Sequence, residues 1–183
     1  MSTQTLTETK WVIDPTHSEL TFKVRHLMIT NVKGEFRNFD AFIETGEDDD
    51  FETAGIEVSI DAASVYTNNK DRDAHLRSAD FFDAENYPEI NFRGTSFRKL
   101  DDEHYKLTGI LAMKGVEKEI VLDVDFGGIA KDPWGNEKAG FSFNGKINRK
   151  DWGLNWNAAL EAGGVMVSEE VRIAGEVQFV KKG

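Results

Sequence analysis

The sequence contains no cysteine among its 183 residues. This absence excludes a disulfide scaffold, a thiolate nucleophile, an iron–sulfur cluster and a cysteine-based zinc site. Basic residues are also few, since 22 Lys and Arg stand against 33 Asp and Glu, which gives a formal charge of −11. An acidic protein of this kind repels phosphate backbones and anionic membrane surfaces, so nucleic-acid binding is not expected as its main function.

Long hydrophobic runs are missing as well, and no window approaches the 18 apolar residues of a membrane-spanning helix. The first ten residues have neither a basic n-region nor an apolar h-region. This predicts a chain without a secretory signal and a cytoplasmic location, or a periplasmic one if a leader was removed. Residues 1–9 are predicted to be disordered or loosely attached. Residues 10–183 are predicted to form a single domain, because 39% of the chain is hydrophobic and 13 residues are Phe.

The dominant hydrophobic period is two residues, as in the run Leu20, Phe22, Val24, which is typical of strands with one apolar face. Strands are predicted over residues 18–26, 34–45, 53–61, 89–99, 104–114, 118–131, 137–149 and 168–181, with a short edge strand near 10–13. One helix is predicted over 69–79 with Asn68 as its N-cap, and it is too poor in apolar residues to cover a sheet. The sheet must therefore bury its apolar face against itself. This predicts an all-β fold, an eight-stranded antiparallel up-and-down barrel, lipocalin-like, with one short helix over one end.

A barrel of eight strands can hold one small ligand in its lumen. Eight inward-facing side chains are expected to line that lumen: Phe22, Val24, Phe39, Phe92, Leu111, Leu122, Phe141 and Phe143. Four mid-strand glycines share the inward parity: Gly94, Gly109, Gly145 and Gly175. Strand glycines usually mark bends or bulges, and here they also have a second interpretation, as space left for a ligand.

The two ends of such a barrel differ in charge. The turns near residues 46–52, 101–104 and 132–136 are acidic, whereas the connections 27–33, 62–88 and 150–167 carry basic residues. Eight side chains are predicted to form a head-group rim at the basic end: His26, Arg37, His75, Arg77, Lys114, Arg149, Trp152 and Trp156. Two interpretations stay open for the cations, since they either pair with acids such as Asp80 or Asp151 or hold a polar head group. The two Trp residues either pack in the core or form an aromatic lid.

No catalytic or metal site is predicted. The run Asp14-Pro15-Thr16-His17-Ser18 contains Asp, His and Ser, but it lacks a nucleophile-elbow context and is interpreted as a hydrogen-bonded turn. The four histidines are scattered along the chain without a metal-ligand spacing. We therefore expect no metal, no cofactor and no nucleotide chemistry.

Four stretches of this sequence resemble the YceI-like family of lipocalin-fold polyisoprenoid-binding proteins. They are Asp14-x-x-His17-Ser18-x-x-x-Phe22-x-Val24-x-His26 with Val32-x-Gly34-x-Phe36, the run from His75 to Phe92, Gly109-x-Leu111-x-x-Lys114-Gly115-Val116, and Arg149-x-Asp151-Trp152-Gly153-Leu154. The resemblance implies a barrel whose lumen holds a long isoprenoid tail, in a binder or carrier rather than an enzyme. Many members of the family are exported to the periplasm, whereas the first ten residues of this sequence predict no leader.

The leading hypothesis is a lipid-binding carrier for a long-chain isoprenoid, either a polyprenyl diphosphate or an isoprenoid quinone. A diphosphate would require Arg37, Arg77, Lys114 and Arg149 close by, whereas a quinone would need only neutral donors such as His26 or Tyr66. The alternative is a lipid-directed hydrolase or isomerase with His26 or His75 as general base. A third hypothesis is a homodimer formed through an edge strand. Neither nucleic acid nor membrane insertion is expected.

Overall fold

The computed structural model describes residues 9–27, 29–46, 51–157 and 167–182. Within them the strands are β1 (Thr9–Ile13), β2 (Glu19–His26), β3 (Thr30–Phe36), β4 (Phe39–Thr45), β5 (Gly55–Asp61), β6 (Val65–Tyr66), β7 (Glu89–Lys99), β8 (His104–Met113), β9 (Val116–Lys131), β10 (Glu137–Asn148) and β11 (Glu170–Lys182), and the helix is α1 (Lys70–Arg77). Thr9 was predicted to belong to a disordered or loosely attached segment, but it is the first residue of β1. The other residues of that segment, 1–8, lie outside the described residues, as do 47–50 of one predicted turn and 158–166.

Eight strands close an antiparallel barrel in the order β1, β4, β5, β7, β8, β9, β10, β11, with β11 pairing back to β1. The other three strands lengthen its wall. β2 pairs with β11 beyond β1, β3 pairs with β2, and β6 pairs with β3. Among the eight strands that close the barrel, each one therefore lies beside the next of the eight along the chain. The predicted eight-stranded up-and-down barrel with one short helix is confirmed.

The predicted strand 34–45 is two strands, because β3 ends at Phe36 and β4 begins at Phe39. Phe36 and Phe39 both face the interior although they are three residues apart. Arg37 and Asn38 occupy the break, and both are exposed. The strict alternation that placed Arg37 on the inner face is therefore wrong at this point.

Helix α1 begins one residue later than predicted. Asn69, rather than Asn68, is its N-cap, and the Asn69 Oδ1 accepts a hydrogen bond of 3.0 Å from the Arg72 backbone N–H. Asn68 has a φ of 60°, in the left-handed region that Asn tolerates better than most residues. The helix lies at the end of the barrel formed by Leu27, Ile29 and the connections 62–88, 114–115 and 149–157.

The opposite end is closed by an aromatic plug, consisting of Trp11, Phe51, Phe97, Tyr105, Phe126 and Phe141. Phe51 lies 5.7 Å from Trp11 and 5.4 Å from Phe141 between ring centroids, and Phe126 stacks on Phe141 at 5.1 Å. Trp11 is fully buried. Because these rings fill the barrel at its acidic end, the interior is open to ligands from the α1 end.

Between β1 and β2 the chain forms a short 3-10 helix, Pro15–His17, which confirms the predicted turn. The Asp14 carboxylate accepts hydrogen bonds from the Thr16 backbone N–H at 3.1 Å and from the Thr16 hydroxyl at 2.7 Å. It also contacts His17 Nδ1 at 2.9 Å and accepts from Lys138 Nζ at 3.1 Å. These hydrogen bonds, the Thr16 hydroxyl first, hold the pKa of Asp14 well below its usual range.

We expect Asp14→Asn to lower the free energy of unfolding by about 1–2 kcal/mol at neutral pH, because it removes a charged N-cap and the partner of Lys138. The folded state lowers the pKa of Asp14, so its stabilisation is complete above the unfolded-state pKa of about 3.9 and is lost as the pH falls toward the folded value. Urea unfolding at several pH values should show that the difference in unfolding free energy between the wild type and Asp14→Asn becomes smaller in acid. Asp102→Asn, at a fully exposed turn, should change little, and a difference independent of pH would contradict this assignment.

Candidate ligand cavity

A cavity of about 620 Å³ occupies the barrel interior. All eight predicted lumen residues line it, and most of the remaining lining side chains are also aliphatic or aromatic. The volume lies in the usual range of small-molecule sites, and a largely apolar lining suits an apolar ligand. The structure places these eight residues together, while their contact with a ligand stays a prediction.

Glycines let large rings lie against the barrel wall. A Cβ at Gly109 would lie 2.4 Å from the Phe92 ring, and one at Gly175 would lie 2.6 Å from the Phe143 ring. At Gly109 and Gly175 the space of the missing side chain is therefore occupied by a neighbouring ring, and at Gly94 and Gly145 aliphatic side chains lie nearest. At Gly94 the register with β8 shifts, which agrees with the interpretation of a bulge.

The mouth of the cavity is formed at the α1 end by polar and aromatic side chains, which are Arg25, His26, Thr67, Asn69, Asp71, Arg72, His75, Arg149 and Trp156. Of these, His26, His75, Arg149 and Trp156 belong to the predicted rim. Arg25, Thr67, Asn69, Asp71 and Arg72 were not predicted as site residues. Thr67 and Asn69 lie immediately before α1, and Asp71 and Arg72 lie in its first turn. The sequence pattern places this helix at the same end of the barrel.

His75 and Trp156 form an aromatic contact at the mouth. Their ring centroids are 4.6 Å apart at 88°, and the Phe81 ring lies 5.1 Å from His75. The His75 Nε2 contacts the Asp80 carboxylate at 2.9 Å. Trp156 is half-buried and lines the cavity, so the lid interpretation fits Trp156.

Trp152 does not belong to a lid. Its side chain is 2% exposed, and its indole Nε1–H donates to the Leu111 carbonyl at 2.8 Å. Buried indoles usually find such an acceptor. Trp152 therefore fastens the segment after β10 to β8, and the core-packing interpretation holds for it.

Arg149 is 3% exposed and is held by backbone carbonyls. Its Nη1 donates to Leu154 O at 2.6 Å and to Trp156 O at 2.8 Å. Its Nε donates to Ser168 O at 2.9 Å and its Nη2 to Val167 O at 3.3 Å. Burial lowers the pKa of Arg149. The guanidinium is thus committed to the loop that carries Trp156, and neither a carboxylate of Asp151 nor a ligand anion is needed to satisfy it.

The three other cations of the predicted rim lie away from the cavity. Arg37 is exposed, contacts Glu35 at 3.2 Å and stacks on the Tyr66 ring at 3.4 Å. Lys114 donates from Nζ to the Ala79 carbonyl at 2.8 Å. Arg77 is half-buried and is not among the residues that line the cavity. The structure does not bring these three side chains to the cavity, and their contact with a head group stays a prediction.

Arg72 lines the mouth, but its guanidinium is already hydrogen-bonded to Thr67. The Nε donates to Thr67 Oγ1 at 2.8 Å and the Nη2 to Thr67 O at 2.6 Å. Asp71 lies beside it on the same rim. A diphosphate would need several uncommitted cations in one place, and this mouth offers a mixture of engaged cations, neutral donors and a carboxylate.

Among residues 9–27, 29–46, 51–157 and 167–182, no three His, Asp or Glu side chains cluster as metal ligands. No helix in the same part of the chain combines the length and apolarity needed to cross a bilayer.

The fold is a lipocalin-like barrel with an internal, largely apolar cavity open at one end. The YceI-like domain matches residues 11–179, and the chain belongs to this family. A UPF0312 protein of Staphylococcus aureus strain N315 is 38% identical over 172 residues, which cover 93% of this chain and 97% of that protein.

Solved structures agree with this assignment. The YCEI protein of Campylobacter jejuni is 39% identical, with a TM-score of 0.74 over 87% of this chain and 90% of that one. A polyisoprenoid binding domain from Saccharophagus degradans is 16% identical, with a TM-score of 0.71 over 94% and 98% of the two chains, and it shares the fold.

Proposed function

We propose that this protein binds a long-chain isoprenoid lipid, with the apolar tail in the barrel and the polar head at the mouth. The observation that carries the proposal is the apolar cavity of about 620 Å³, closed at one end by the aromatic plug and polar only at the other. Burial of an apolar chain contributes about 25 cal/mol per Å² of buried surface, so affinity does not require many polar contacts. The shared fold of the polyisoprenoid binding domain from Saccharophagus degradans supports an isoprenoid over other apolar chains.

Within this proposal we favour a neutral head group, such as a quinone, over a diphosphate. Arg149 and Arg72 donate to carbonyl and hydroxyl acceptors of the protein, and Arg37 and Lys114 lie outside the cavity. A diphosphate would then bring its charge beside Asp71 without a matching set of donors, at an unfavourable free energy. A quinone carbonyl needs only one neutral donor. His26 lines the mouth, and its ring forms no hydrogen bond with the described part of the chain.

A comparison of two ligands with one isoprenoid chain tests this choice. We expect the isoprenoid alcohol to bind about tenfold or more tightly than the diphosphate of equal chain length, because only the diphosphate places a charge at the mouth. Tryptophan fluorescence titration measures both affinities, with an isoprenoid quinone as a third ligand. Tighter binding of the diphosphate would overturn the neutral-head assignment while leaving the lipid proposal intact.

A carrier also fits the mouth better than an enzyme does. His75 hydrogen-bonds Asp80, which would orient an imidazole base. In the described part of the chain, however, no Ser or Thr hydroxyl hydrogen-bonds the ring of His75 or of His26. A hydrolase with a covalent intermediate requires such a nucleophile next to its base, so we propose binding without catalysis.

A further inference from the structure

Four cations form a basic row on the outer wall of the barrel, which consists of Lys146, Arg172, Lys23 and Lys33. They are direct register neighbours on β10, β11, β2 and β3. All four are exposed. Since adjacent strands lie about 4.8 Å apart, the row extends over roughly 14 Å. Like charges directly opposite each other across strands are destabilising, so this arrangement weakens the isolated barrel.

Carboxylates neutralise the row only in part. Glu170 contacts Lys146 at 3.8 Å and Arg172 at 3.9 Å, near the limit for an ion pair. In the described residues Lys23 and Lys33 form no ion pair. On a chain with a net charge of −11, a row of four cations is a marked local exception.

The basic row has a defined position relative to the cavity mouth. Lys23 lies three residues, or about 10 Å, from the end of β2, at the same end as α1. Beyond the strand end, Ile29 is 73% exposed at the tip of the β2–β3 hairpin. Four residues farther from the mouth along the same wall, Glu19 and Glu176 are paired. Toward the mouth this wall carries the basic row, the exposed Glu170 and the apolar Ile29, and away from the mouth it is acidic.

We propose that the protein docks on an anionic lipid bilayer with the wall that carries the basic row against the surface, so that Ile29 enters the headgroup region and the cavity mouth lies at the membrane surface. Cations near an anionic surface contribute to binding within a Debye length, about 8 Å at physiological ionic strength. The charges of this wall, where the four cations face Glu170, Glu19 and Glu176, decide the interaction rather than the net charge of −11. The inference extends the proposed lipid function, because a bound isoprenoid would then enter or leave directly at the bilayer.

Vesicle flotation tests the proposal. We expect the wild-type protein to float with vesicles of phosphatidylcholine and phosphatidylglycerol but not with phosphatidylcholine alone, and to be released by salt. Lys23→Glu combined with Lys33→Glu should lower the vesicle partition constant about tenfold or more. Ile29→Ser should weaken flotation at low salt without changing its dependence on salt.

A matched control uses a second pair of cross-strand cations. Arg98 and Lys106 face each other on β7 and β8 near the acidic end. Arg98→Glu combined with Lys106→Glu makes the same charge change, and it should leave flotation as in the wild type. Equal losses in both double variants would show that net charge alone decides binding and would overturn the proposal.

Lumen binding measured without vesicles separates the two proposals. If the isoprenoid alcohol binds in solution and the wild-type protein does not float on anionic vesicles, docking is wrong and an acidic protein surface becomes the partner to test. If flotation depends on Lys23 and Lys33 but no isoprenoid binds, the lipid function is wrong and docking stands.

Discussion

Replacement of Arg149 by Ala should lower the free energy of unfolding by about 3–5 kcal/mol, the largest stability effect expected outside the apolar core. The change removes four hydrogen bonds from a charged donor and leaves the carbonyls of Leu154, Trp156, Val167 and Ser168 without it. Urea denaturation followed by circular dichroism measures the loss. The affinity for the isoprenoid alcohol should fall as well, because Trp156 loses the bond that positions it at the mouth.

Two further variants distinguish a structural role from a head-group role for this residue. Arg149→Lys keeps the charge but cannot reproduce the planar donor set, so it should remain destabilised. Arg98→Ala, at an exposed position, should lie within about 0.5 kcal/mol of the wild type. If Arg149→Ala melts like the wild-type protein and loses only an anionic lipid, Arg149 binds a head group and the structural assignment is wrong.

Replacement of Val58 by Trp should reduce isoprenoid affinity about a hundredfold. Val58 lines the cavity between Ala41 and Phe92 on the neighbouring strands. An indole there occupies space that three or four methylene groups of a tail would fill, each contributing about 0.8 kcal/mol. Fluorescence titration with the isoprenoid alcohol gives the affinity, and thermal unfolding shows whether the ring is accommodated.

The outer wall supplies a control with the same chemical change. Val121 is 48% exposed on β9, so Val121→Trp adds an indole outside the barrel and should leave affinity unchanged. Undiminished binding by a folded Val58→Trp would mean that the tail does not lie in the cavity.

The barrel was predictable because strand patterning is local. A one-residue slip exchanges the apolar and polar faces of a strand, so a strict period of two fixes which side of each strand is buried. The thin apolar content of α1 then left closure of the sheet as the way to bury those faces. The pattern fails at Arg37, where the chain breaks between β3 and β4.

The rim was the weakest prediction. The alternation of side chains along a strand predicts whether a side chain points inward, but it does not predict which group accepts its hydrogen bonds. Arg149 does point inward, yet its acceptors are carbonyls from residues 154–168 that only the tertiary structure brings to it. Lys114 is turned to Ala79 for the same reason. Every residue type carries a backbone carbonyl, so the sequence does not show which carbonyls accept hydrogen bonds from a side chain. The sequence analysis therefore assigned these donors to a ligand.

The aromatic plug was also beyond the sequence pattern. Phe126 and Phe141 were visible as strand residues, but Trp11 and Phe51 come from a short strand and a turn that reach the same point. Which end of a barrel is closed depends on such long-range contacts. The plug nevertheless determines the direction in which a ligand enters.

Native mass spectrometry of the wild-type protein, incubated with an isoprenoid alcohol and then separated from free ligand, tests the central claim most directly. We predict one lipid per chain, retained by the wild type and by Val121→Trp and absent from Val58→Trp. A wild-type protein that emerges without lipid, or a lipid retained equally by folded Val58→Trp, would contradict a lipid site inside the barrel.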